Sequence, residues 1–243
     1  MNPFETLIYE KINGTGYITL NRPGSLNVYN IRMRDELYEV LCAVRDDSEV
    51  KVVIVRATGD KAFCAGADLS EFLTAPPPIF ARMVRFQRDV WGLFLSLQQP
   101  VIAALQGYVL GSGIEIALCC DIRIAAENVR FGLPEVGLGI IPAAGGTQTL
   151  PRNTGPATAL DMFLTGRWLD AREALKTGLV NRVVPFPVLW QEVDRIANKI
   201  KSCDYEVISM AKQAVVRGLD MSLSEGLDLE KRLVFLYERR KRT

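Results

Sequence analysis

Histidine is absent from this 243-residue chain. Its absence excludes a Ser-His-Asp or Cys-His triad, imidazole acid–base chemistry and every histidine-ligated metal site. Acid–base work near neutral pH therefore falls to carboxylates, lysines, tyrosines or cysteines whose proton affinity is shifted by their surroundings. Cysteine is sparse: Cys42, Cys64, Cys119, Cys120 and Cys203 are odd in number and lack CxxC or other metal-ligand spacing, so they read as buried free thiols. No apolar run reaches the ~18–20 residues that span a bilayer, and Met1 to Glu5 lacks a basic region followed by an apolar stretch. The expectation is a cytoplasmic protein with no membrane partner. Neither sign of charge is in excess, with Lys+Arg 29 against Asp+Glu 28, so electrostatics give no case for nucleic acid.

What is present suits a globular enzyme: 49% of residues are hydrophobic and 23% charged. The length supports one large α/β unit whose core can hold buried catalytic groups. Glu10 to Leu20 reads as two strands turning at Asn13-Gly14. Leu37, Val40, Leu41 and Val44 recur at helical spacing within Ile31 to Arg45, and Val52 to Val55 has the unbroken apolar character of a strand covered on both faces. Pro76-Pro77-Pro78 marks a loop before a helix carrying Phe86, Val90, Phe94 and Leu97. Strand character returns at Val101 to Ala104 and at Ile122 to Ala125. The alternation of strand and helix implies α/β architecture. After Pro185-Phe186-Pro187 three helical segments follow, the last opened by Ser222 and Glu225 at capping-box spacing.

Three segments carry chemistry. Lys61 to Leu69 leads from a strand end into a small-residue turn, where backbone amides can approach a ligand closely. Taken alone, an ordinary tight turn explains it equally well. Gly107 to Glu115 is a second glycine-rich turn entering a helix, with neither the lysine of a phosphate-binding loop nor GxGxxG spacing. The helical spacing puts Glu115 on one face with Leu118, Cys119 and Ile122, so a carboxylate falls on a buried stripe. Structural pairing with an arginine could account for it, but carboxylates are rarely buried without a task. In the third segment Glu135 is the only charged residue between Phe131 and Pro142, and Pro134 suits the first position of a short helix. Two backbone donors to polarise a carbonyl and two carboxylates to handle a water and a proton make one coherent set.

Ala62 to Leu69, Gly107 to Asp121 and Phe131 to Arg152 resemble the signature segments of the crotonase (enoyl-CoA hydratase/isomerase) family, and the likeness continues through Leu164-Thr165-Gly166 and Gly178 to Pro185. The resemblance implies an α/β fold, a spiral of ββα units spanning residues 1–187. A helical C-terminal region, 188–243, would build homo-trimers, often stacked as hexamers. By position it assigns the oxyanion-hole amides to Ala67 and Ser112 and the hydratase glutamates to Glu115 and Glu135. It puts Arg22, Leu26, Lys61, Ala65, Asp68, Leu69, Gly111, Pro134, Pro142 and Ala143 against the acyl-CoA thioester. Gly24 and Ser70 stand where the family often has lysines, leaving Lys61 and Arg22 as phosphate contacts. The pocket walls are expected from Phe72 to Phe86 and from the C-terminal helices.

The implied reaction is syn addition of water to a 2-enoyl-CoA. It calls for no metal and no cofactor beyond the CoA that enters with the substrate. Isomerases of the family commonly keep one of the two glutamates, so double-bond isomerisation is the alternative reading. An RNA- or protein-binding member is the non-enzymatic one, although the basic run Arg239-Arg240-Lys241-Arg242 reads as a solvated helix end.

Overall fold

The computed structural model describes residues 4–72, 88–142 and 144–241. Apolar alternation turns into two sheets. The larger has the order β1-β2-β3-β5-β7-β10 (Leu7–Ile12, Thr15–Leu20, Val52–Ala57, Val101–Leu105, Ile122–Ala126 and Arg182–Val184), and every pair is parallel except the β1/β2 hairpin. The hairpin starts at Leu7, three residues before the sequence signal, and its turn places Asn13 and Gly14 at positive φ. The smaller sheet has the order β4-β6-β8-β9 (Ala62–Cys64, Tyr108–Leu110, Arg130–Gly132 and Leu169–Asp170). β4, β6 and β8 are parallel, and β9 closes the edge antiparallel.

Three successive strand pairs, β3/β4, β5/β6 and β7/β8, each put their first strand in the large sheet and their second in the small one. Helices or helical turns follow, so the chain advances as a spiral. α1 (Ile31–Asp46), capped by the Asn30 side chain at Met33 N, follows the first hairpin. The described helices next in order are α2 (Leu69–Phe72), α3 (Val90–Ser96), α4 (Ser112–Leu118), α5 (Gly146–Thr154), α6 (Pro156–Thr165) and α7 (Ala171–Lys176). Leu37, Leu41, Val53, Val55, Phe63, Phe94, Val109 and Phe131 belong to one buried cluster between the layers. At about 25 cal/mol per Å² of apolar surface such burial is the main force holding the layers together.

α8 (Leu189–Lys201) packs on the opposite face of the large sheet. Leu189, Val193 and Ile196 meet Val52, Ile54, Ile102 and Ile124 there, so this helix is part of the core. α9 (Tyr205–Gly218) and α10 (Leu223–Lys241) pair with each other and leave Val215, Leu219, Leu223, Val234 and Phe235 exposed. The basic end of α10 is partly engaged: Arg240 pairs with Glu206, and Lys241 lies 4.0 Å from Asp204. No helix among the described residues is long and apolar enough to cross a membrane. Pro76, Pro77, Pro78, Phe86, Ala143 and Arg242 lie outside the described residues, as does the side chain of Phe72.

Candidate active site

The three chemical segments are the turns that leave the C-terminal ends of three adjacent parallel strands. β4 runs into Ala65-Gly66-Ala67, β6 into Gly111-Ser112, and β8 into Leu133-Pro134-Glu135. The register pairs Leu110 with Gly132, and Gly111 N donates to Gly132 O at 3.0 Å, so the second and third turns leave the sheet side by side. The first and second turns touch at their glycines: a Cβ on Gly111 would stand 3.5 Å from Gly66 Cα. Both have positive φ, 107° at Gly66 and 48° at Gly111, a region that a side chain disfavours. The next residues in the chain are Ala67 and Ser112. Their main-chain N–H groups find no main-chain acceptor among the described residues.

The loop Arg22 to Tyr29 fastens the first turn. Tyr29 N donates to Gly66 O at 2.8 Å, Asp68 N to Tyr29 O at 2.8 Å, and Ala65 N to Leu26 O at 3.1 Å. Asn27 is 1% exposed and sits at φ 55°; its amide donates to Thr58 O and Ala62 O while its oxygen accepts from Arg22 N. Arg22 donates to Val28 O at 2.7 Å and pairs with Asp68 at 3.2 Å. The Ser70 hydroxyl and the Arg22 guanidinium hold Asp68 below its ordinary carboxylate range. Arg22, which the resemblance assigns to a phosphate of the substrate, thus also braces the loop through Val28 O and Asp68. Lys61 is exposed and makes no ion pair among the described residues. Leu69 is also exposed, whereas Pro134 opens a helical turn as its first residue.

Glu115 sits in the first turn of α4 and is 3% exposed. Its Oε1 accepts from Ala144 N at 3.0 Å and Gly146 N at 2.9 Å, the donors at the start of α5. α4 approaches β4 closely, since a Cβ on Gly113 would lie 2.3 Å from Cys64 O. The helix stops at Leu118, with Cys119 as its cap and Ile122 already on β7. The apolar stripe expected from Glu115 through Ile122 is therefore shorter than the spacing suggests, because Asp121 turns the chain into a strand.

Glu135 is held over Gly111, where an added Cβ would be 2.7 Å from its Oε1. Its Oε2 is buried and has no hydrogen-bond partner among the described residues. Burial pushes its proton affinity above the ordinary carboxylate range. An unpartnered buried carboxyl oxygen is costly for folding, which points to a task outside folding.

Ala67, Ser112, Glu115, Glu135 and Pro142 line one cavity of about 450 Å³. Sequence reasoning missed the rest of its wall: Tyr29, Arg34, Arg88, Asp89, Val90, Trp91, Ile140, Ile141 and Ala144. The Tyr29 and Trp91 rings lie 5.7 Å apart, tying the first loop to α3. No residue of α8, α9 or α10 lines this cavity among the described residues, contrary to the expectation that the C-terminal helices form its wall. Within one chain those helices pack behind the sheet or on each other. No group of three or more acidic or cysteine side chains among the described residues could hold a metal ion.

The family model described as Enoyl-CoA hydratase/isomerase matches residues 10–242. The short-chain-enoyl-CoA hydratase of Clostridium acetobutylicum is 41% identical over 224 residues, covering 92% of this chain and 86% of that protein. The crotonyl-CoA hydratase of Syntrophomonas wolfei is 38% identical over 227 residues, covering 93% and 87%. The crystal structure of the enoyl-CoA hydratase from Bacillus anthracis superposes with a TM-score of 0.91 at 38% identity, covering 98% of this chain and 92% of that one. Strand order, turn geometry and these similarities agree, and the chain belongs to the enoyl-CoA hydratase/isomerase family.

Proposed function

We propose that this protein adds water across the 2,3-double bond of an enoyl-CoA thioester, with Glu115 and Glu135 as its acid–base pair. The observation that carries the reading is the convergence of both carboxyl groups and the Ala67 and Ser112 turns on one cavity. In the proposed reaction the thioester oxygen accepts hydrogen bonds from the Ala67 and Ser112 amides as negative charge develops on it. Each such donor is worth roughly 3 kcal/mol in related chemistry. Glu115, its Oε1 fixed by two amides, takes a proton from the water that attacks C3. Glu135, whose burial favours the protonated form, delivers a proton to C2 from the same side. Each acid–base group contributes about 10²–10⁴ in rate. The atoms balance with water alone, and the product is a 3-hydroxyacyl-CoA.

Incubation with crotonyl-CoA, following loss of the conjugated thioester absorbance, tests this reading. Turnover is expected to fall by at least ~10² in Glu115→Gln and in Glu135→Gln. A product with the double bond moved and no hydroxyl would assign isomerisation instead. The assembly proposed is a homo-trimer, alone or paired as a hexamer. It is supported by the apolar residues left exposed on α9 and α10, which a monomer gains nothing by presenting to water. Light scattering giving the mass of a monomer would overturn it.

A further inference from the structure

The cavity is also lined by two arginines that the proposed hydration leaves unused. Arg34, in the first turn of α1, and Arg88, just ahead of α3, both line it. They share one counter-ion, and through one oxygen. Asp35 Oδ1 accepts from Arg34 Nε at 2.9 Å and lies 2.8 Å from Arg34 Nη2 and 3.1 Å from Arg88 Nη1. The trio carries one positive charge more than it balances. Arg34 Nη1 has no acceptor among the described residues, although the side chain is only 19% exposed.

The other charged groups facing the cavity are Asp89, Glu115 and Glu135, and none pairs with either arginine among the described residues. Asp89 caps α3 by accepting from Gly92 N at 2.9 Å. Glu115 is held by the α5 amides, and burial drives Glu135 towards its neutral form. Residues 73–87, which lie outside the described ones, contain Arg82 and Arg85 but no Asp or Glu, so they supply no counter-charge. The neighbouring walls are Val90, Trp91, Ile140 and Ile141. A guanidinium keeps its charge on such a wall, and a planar anion with two oxygens is the partner its fork fits.

We propose that the acyl group of the substrate carries a second carboxylate, received by Arg34 with Arg88 beside it. The inference rests on the hydratase reading for the direction in which the thioester lies. An anionic oxygen group could also come from a phosphate of the CoA moiety. Arg34 and Arg88, however, share their cavity with Glu115 and Glu135, which face the acyl carbons. Tyr29 lines the same cavity, its phenol pushed upward by burial.

Saturated thioesters test this without turnover. Titration calorimetry with glutaryl-CoA and adipoyl-CoA is compared with pentanoyl-CoA and hexanoyl-CoA, which match them in chain length and lack the carboxylate. At least one diacid thioester is expected to bind about tenfold tighter than its neutral match. Arg34→Met is expected to reduce that preference to within about threefold, and Arg34→Lys to restore part of it. Equal binding of each pair by the unaltered protein overturns the proposal. An equal loss for both members in Arg34→Met also overturns it, and assigns the arginine to CoA phosphates or to folding. Hydration of glutaconyl-CoA and pent-2-enoyl-CoA separates the two readings. Diacid preference in binding with neither thioester hydrated refutes the hydratase reading and supports the carboxylate site; hydration of the neutral thioester without diacid preference does the reverse.

Discussion

Gly146→Ala isolates the positioning of Glu115 from everything else that a mutation at the site disturbs. Gly146 is the first residue of α5, its φ is not in the left-handed region, and its amide donates to Glu115 Oε1 at 2.9 Å. An alanine keeps that donor. Its Cβ, however, would stand 3.0 Å from Glu115 Oε1, 3.3 Å from its Cγ and 3.4 Å from Pro142 Cβ. Ordinary carbon–oxygen contact requires a few tenths of an ångström more, and the methyl is already in van der Waals contact with Pro142. Glycine to alanine in a helix ordinarily stabilises by about 0.5–1 kcal/mol, so folding has little to lose. Catalysis has more to lose, since about 1 Å of misplacement costs 10²-fold. A displacement of a third of that size should lower kcat by about five- to tenfold. The assay is steady-state hydration of crotonyl-CoA alongside thermal unfolding and binding of butyryl-CoA. The expected result is a fall in kcat, a melting temperature unchanged within about 3 °C and butyryl-CoA affinity within about threefold. Unchanged kcat would refute the reasoning, because the carboxylate would then tolerate a shift that acid–base geometry forbids.

Further outcomes follow from the same contacts. Gly111→Ala places a Cβ 2.7 Å from Glu135 Oε1 at φ 48°, so it should cost about 1–2 kcal/mol of stability as well as at least tenfold in kcat, read by denaturant titration and initial rates. Burial raises the proton affinity of Glu135, so its ionised form destabilises the fold as pH rises through the raised value. Glu135→Gln should therefore unfold at higher temperature than the parent at pH 7, with the gain vanishing below about pH 4, where the carboxyl is neutral in both states. In the proposed reaction only protonated Glu135 serves C2, so the alkaline limb of the rate profile should be set by this residue. Arg123, 5% exposed, donates to Leu179 O, Cys120 O and Asn153 Oδ1, so Arg123→Ala should cost about 3 kcal/mol and lower the melting temperature by about 6–12 °C. Asn27→Ala removes three hydrogen bonds that hold the Ala67 turn and should cost about 2–4 kcal/mol, with a matching loss of kcat.

Much of the fold is legible because its strands are apolar on both faces: Val52 to Val55 and Val101 to Ala104 need no partner to be recognised. Glu115 and Glu135 are equally visible, each the lone charge in an apolar stretch. What the sequence hides is distance. The three turns that line the cavity meet because β4, β6 and β8 are neighbours, and adjacency of strands 44 residues apart (Cys64 to Tyr108) and 20 apart (Leu110 to Arg130) leaves no local mark on them. The extent of α4 is hidden for a related reason, since Leu118 to Ile122 is apolar at helical spacing and only Asp121, whose carboxylate accepts from Val101 N, turns the chain. Arg34 is the clearest omission. It follows the buried Met33 on an amphipathic helix, where a charge usually faces water, and nothing nearby in sequence shows that Arg88 and a cavity lie opposite.

The most direct test of two glutamates sharing one water is the origin of the atoms added to the substrate. Hydration of crotonyl-CoA in deuterated water enriched in ¹⁸O, analysed by mass spectrometry and NMR, should give one ¹⁸O at C3 and one deuterium at C2 on the same face, with both labels lost together in Glu115→Gln and in Glu135→Gln. Deuterium entering the acyl chain without ¹⁸O, or full double labelling in either variant, would contradict the assignment of the pair.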